Sequence, residues 1–130
     1  MKLMEKTVIG SRINLQWKME EVKTEKACLK VALATCKLGE LVRVECRGYE
    51  DMDEHENHAT FETQKEFAEN LDKIRKIDAD RIEVYLNVDG ATVSAVFGPC
   101  SDDENGNWVT VFGKEDAAKK LSSEIKKLIG

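Results

Sequence analysis

The nine residues EDMDEHENH, positions 50–58, hold both histidines of the chain, His55 and His58, together with Glu50, Asp51, Asp53, Glu54 and Glu56. Like charges repel, so a chain keeps such a cluster only where solvent, a cation or a basic partner meets it. Two chemistries follow from these residue types. The first is metal ligation: His55 and His58 at HxxH spacing, with Asp53 close by, offer nitrogen and oxygen donors suited to zinc or manganese. The second is charge docking, in which Glu50, Asp51, Asp53, Glu54 and Glu56 meet a basic surface on another macromolecule. The spacing argues for docking. A metal site needs ligands in fixed geometry and usually draws them from separate rigid elements. Here all the candidates share one stretch of chain, and Cys46 and Cys100, distant soft donors near strand ends, make no second cluster.

Other constellations carry less. The run SDDENGNWVTVF, 101–112, imitates the middle of a calcium loop through Asp103, Asn105 and Gly106. Its first position is Ser101, however, and its twelfth is Phe112 where a bidentate glutamate belongs. A nucleophilic cysteine requires a base and an electropositive setting. Cys28, Cys36 and Cys46 fall within apolar segments, and Cys100 stands beside Asp102 and Asp103. The GxSxG elbow, GxGxxG and GxxxxGK are all absent. We assign no catalytic residue and expect no cofactor.

The first part of the chain suggests a different site. Residues 1–48 carry 10 Lys and Arg against 6 Asp and Glu, whereas residues 49–72 carry 1 against 9. Lys30, Arg43 and Arg47, with Trp17, would make a positive patch able to hold a small anion such as a nucleotide by charge and stacking. A sequence pI near 5.2 and the acidic run both oppose nucleic-acid binding.

The elements that must position these residues are uneven in clarity. In RIEVYLNVDGATVSAVFG, 81–98, Asp89-Gly90 is a favoured two-residue hairpin turn. Pairing outward sets Val88 against Ala91, Leu86 against Val93, Val84 against Ala95 and Ile82 against Phe97. The opposite face pairs Asn87 with Thr92, Tyr85 with Ser94 and Glu83 with Val96. One face is wholly apolar and the other mostly polar, as a half-buried antiparallel pair demands. Trp108–Phe112 reads as a further strand. Ala117, Leu121, Ile125 and Leu128 recur at helical spacing, with Glu115 and Asp116 before them and Lys126 and Lys127 behind. A second amphipathic helix runs from about Thr63 to Ile77, opened by a Thr63/Glu66 capping box.

Alternation marks Ile13–Met19 and Leu41–Arg47 as strands. Between them, ACLKVALATCKLG is apolar on both faces. As a helix it would end at Gly39; as a strand it pairs with 41–47, bringing Lys30 opposite Arg47. We favour the strand.

These elements predict an α+β domain: an antiparallel sheet of about six strands, ordered βββαβββα, with two amphipathic helices on one face. A chain of 130 residues with 42% apolar and 35% charged residues fits one domain, 1–130. MKLMEKTVIG lacks the continuous apolar stretch of a secretory signal, and no run is long enough to span a bilayer. The cysteines lack CxxC pairing and read as reduced thiols, which suits a cytoplasmic protein. The expected function is a small non-enzymatic interaction or regulatory protein, of the inhibitor, immunity or adaptor kind, that offers its acidic loop to a basic protein surface. Anion sequestration and a metal-dependent enzyme built on His55 and His58 are the alternatives.

Overall fold

Asp89 and Gly90 adopt φ of 51° and 82°, the positive values a two-residue hairpin turn requires. The strands they join pair in the anticipated register from Val88↔Ala91 to Ile82↔Phe97. Around this hairpin, a computed structural model describes residues 2–9, 12–18, 27–47, 58–76, 81–99 and 106–129. The elements are β1 (Lys2–Ile9), β2 (Arg12–Lys18), α1 (Ala27–Thr35), β3 (Glu40–Arg47), β4 (His58–Phe61), α2 (Gln64–Glu69), α3 (Leu71–Lys76), β5 (Arg81–Val88), β6 (Ala91–Pro99), β7 (Gly106–Gly113) and α4 (Glu115–Ile129). The strands form one sheet of seven in the order β1-β2-β7-β6-β5-β3-β4, antiparallel at every junction.

The antiparallel α+β class anticipated above holds, with helices on one face, but the membership of the sheet changes. Residues 27–35 leave it for the helical layer, and β1 and β4 join at its two edges. The helix at 27–35 corrects the strand favoured from sequence and dissolves its pairing with 41–47. Its place explains the ambiguity. α1 touches β5, β6 and β7 beneath it and both α4 and α2 beside it. A helix enclosed on several sides is apolar most of the way round and has no polar stripe to betray its period. Leu29, Val31, Ala32, Thr35 and Cys36 are all buried there. Thr35 Oγ1 donates to Val31 O at 2.7 Å and Cys36 Sγ to Ala32 O at 3.4 Å, so the polar groups are satisfied within the helical turns.

The core lies between the sheet and this layer. Ile82, Val84, Leu86, Val93, Ala95 and Phe97 from the hairpin join Val44, Val109, Val111 and Ile13 in one cluster with Phe67, Ile74, Leu121 and Ile125 from the helices. Phe61 packs against the helix it precedes, its ring 5.9 Å from that of Phe67 and nearly parallel to it. The helix expected over 63–77 is divided. Asn70 turns out of helical geometry (φ −114°, ψ 24°), and its Nδ2 donates to Glu66 O at 2.7 Å, closing α2 with its own side chain. Among the described residues no helix is long and apolar enough to cross a membrane.

The start of α2 carries the expected cap. Glu66 N donates to Thr63 Oγ1 at 3.1 Å, and the Glu66 carboxylate accepts from Glu62 N at 3.1 Å. The second bond reaches one residue further back than in the standard box. Thr63→Ala is expected to lower stability by about 1 kcal/mol, as loss of a threonine cap does. Thr63→Ser should retain most of it. Urea melts of the two variants check this, and equal losses would show that the cap is not what the hydroxyl provides.

Candidate functional site

Helices cover one face of the sheet, and no described helix covers the other. The alternation that sends Val44 and Cys46 into the core turns Arg43, Glu45 and Arg47 to this second face. A bulge between Leu41 and Arg43 makes the arrangement possible. Leu41 pairs with Leu86 and packs against the core, whereas Arg43 pairs with Tyr85 on the uncovered side. Val42, the extra residue, is left 43% exposed. One inserted residue thus changes the facing of the strand.

Across β3 and β5 the uncovered face is built in rows: Arg43 beside Tyr85, Glu45 beside Glu83, Arg47 beside Arg81. The Arg43 guanidinium lies over the Tyr85 ring, 4.0 Å from its centroid, and Arg43 Nε stands 3.4 Å from Glu45 Oε1. The Tyr85 hydroxyl donates to Glu45 Oε2 at 3.1 Å and also to Glu83 Oε2. Burial first, and then the hydrogen bonds and negative charge of Glu83 and Glu45, hold the Tyr85 phenol well above the usual tyrosine range. The phenol therefore stays a donor at neutral pH. Each contact is modest, since exposed ion pairs contribute about 0–1 kcal/mol and exposed cation–π pairs about 0.5–1 kcal/mol. Together they tie four side chains, Arg43, Glu45, Tyr85 and Glu83, to one another.

Glu45, Arg47, Arg81, Glu83 and Tyr85 line a depression of about 120 Å³. Pockets that enclose drug-sized ligands run to roughly 300–1,000 Å³, so this one would seat a small group and not a whole nucleotide. What it offers chemically is recognition by guanidinium forks, since the one phenol proton is already taken by Glu45 and Glu83.

The basic patch expected from sequence is not assembled. Arg43 and Arg47 share β3, but Lys30 is exposed on α1, in the helical layer on the far side of the sheet. Its supposed position opposite Arg47 required the strand that α1 replaces. Trp17 pairs with Leu3 and Asn107 on β2, and β7, β6 and β5 intervene between β2 and β3. Sequence reasoning missed Arg81, Glu83, Tyr85 and Glu45 as neighbours. The hairpin register already placed Glu83 and Tyr85 on the polar face, but their pairing with β3 joins residues about 40 apart, as in the Tyr85–Glu45 bond, with no local signal.

Of the acidic run, Glu50, Asp51, Asp53, Glu54, His55 and Glu56 lie outside the described residues. His58 is exposed on β4 and pairs with Arg47. Among the described residues no group of three or more His, Cys, Asp or Glu is gathered to hold a metal. Of the calcium-like run, 101–105 lie outside the described residues, and the remainder opens β7, between strands in place of a helix pair.

Cys36 and Cys46 are buried thiols. Burial pushes the Cys36 thiol up to about 12, which leaves it protonated and unreactive at neutral pH. Cys100 and the side chain of Cys28 lie outside what is described, although Cys28 itself belongs to α1 and not to a strand.

The fold and this face define an α+β protein whose sheet is covered by helices on one side and carries an ordered charged ladder on the other. No protein-family model matches the chain, and comparisons with curated proteins and with solved structures give no match.

Proposed function

We propose that the protein is a non-catalytic interaction protein that presents the acidic segment Glu50–Glu56 to a basic surface on a macromolecular partner. The observation that supports this reading is the pairing of Arg47 with His58. These residues bracket the segment, so both of its ends are tied to adjacent strands at one corner of the sheet. A segment anchored at both ends loses less freedom on docking than a free tail would. Long-range attraction between such a cluster and a basic surface speeds encounter and contributes little to folding.

The test replaces Asp51, Asp53, Glu54 and Glu56 with their amides. The parent and the variant are used to purify partners from the native host, and association of the captured partner is followed against ionic strength. The variant should associate about 10–100-fold more slowly at low salt and show a flattened salt dependence, with an unchanged unfolding midpoint. Unchanged kinetics at every salt concentration would dismiss the acidic segment as the contact. Elemental analysis addresses the metal alternative: a bound ion lost on His55→Ala would replace docking with ligation.

A further inference from the structure

Arg47 and Arg81 stand directly opposite each other across β3 and β5. Both are exposed, and among the described residues neither forms an ion pair. Like charges opposed in this way weaken a sheet. Glu45 and Glu83 line the same depression but neither comes within ion-pair distance of these arginines. Glu45 accepts from Tyr85 and stands 3.4 Å from Arg43, and Glu83 accepts from the same phenol. His58 continues the row on the other side of Arg47, so three basic side chains follow one another across β4, β3 and β5.

The two arginines also line the depression of about 120 Å³ described above. Two arginines that line one depression without an ion-pair partner there can share a single multiply charged anion. A carboxylate carries one negative charge, whereas a phosphate monoester carries about −1.5 to −2 at neutral pH and has three acceptor oxygens. Guanidinium forks match those oxygens in bidentate geometry. We propose that Arg47 and Arg81 form a binding site for the phosphate group of a phosphate monoester. Only that group enters the depression, and the rest of the molecule lies over the uncovered sheet face. This site does not depend on docking by the acidic segment.

The test follows the Arg Nε–Hε signals by NMR while inorganic phosphate is added at pH 7.5, against sodium chloride at matched ionic strength. The Arg47 and Arg81 signals should shift saturably, with a midpoint on the order of millimolar. The Arg47→Gln/Arg81→Gln double variant should keep its fold and bind at least tenfold more weakly. The variant with the four amides in the acidic segment should bind phosphate as tightly as the parent or more so, because a repelling charge is gone. That result separates this site from the function proposed above. Acetate should bind several-fold more weakly than phosphate. A parent that shows no saturable shift, a double variant that responds like the parent, or an acetate response equal to that of phosphate would each overturn the proposal.

Discussion

Leu86→Ala is expected to lower the unfolding free energy by about 2–5 kcal/mol, and Thr92→Ala by less than about 0.5 kcal/mol. Leu86 is fully buried in β5 and pairs with Leu41 on one side and Val93 on the other. Strands flank β5 on both sides and helices cover it, so the site cannot collapse cheaply and the lost methyl groups leave a cavity. Thr92 is the second residue of the other strand of the same hairpin but is exposed, on the face that the helices leave uncovered. Denaturant melts on both variants measure the contrast. Equal losses would mean that β6 is shifted by one residue against β5, because such a slip turns that strand's residues, Thr92 among them, to the opposite face.

Gly113→Ala is expected to cost about 2–6 kcal/mol, from backbone strain of about 1–3 kcal/mol together with overpacking of a similar size. Gly113 closes β7 with φ of +145°, a backbone conformation that side chains disfavour. A Cβ there would stand 2.6 Å from Val93 Cγ1 and 3.1 Å from Thr92 O. Val93 is itself buried and β-branched, so it cannot swing aside. A double-mutant cycle with Val93→Ala divides the cost. The steric part should be recovered in the double variant as a coupling of about 1 kcal/mol or more, while the strain remains. Additive losses would show that the contact with Val93 is not the source.

Features legible in the chain itself are those that adjacent residues decide among themselves. The hairpin register followed from Asp89-Gly90 and strict alternation on either side of it. The Thr63/Glu66 cap followed from two residues three apart, and α4 from Ala117, Leu121 and Ile125 on one stripe, with charges suited to each end. The edge strands are illegible for reasons that are equally physical. β4 is four residues long, too short to establish a period, and it is held by pairing with β3 and by Phe61 packing on Phe67. Asn70, which divides the helix over 63–77, sits inside a pattern of apolar residues that continues through it to Ile74.

By itself, then, the sequence determined the hairpin, the terminal helix, the cap, the α+β class and the crowding of charge between 50 and 58. Each depends on contacts within a turn or two of chain, where propensity and periodicity act directly. Tertiary structure decided the rest. Residues 27–35 became a helix because β5, β6, β7, α2 and α4 enclose them, and enclosure removes the polar stripe that would have announced the period. The ladder of Arg43, Glu45 and Arg47 with Tyr85, Glu83 and Arg81 exists because β3 pairs with β5 through a bulge. That register joins distant segments, and it is chosen by how Val44, Cys46 and Leu41 fill the core on the opposite face. The charged face is the reverse side of a packing solution, which is why no local pattern in the chain foretold it.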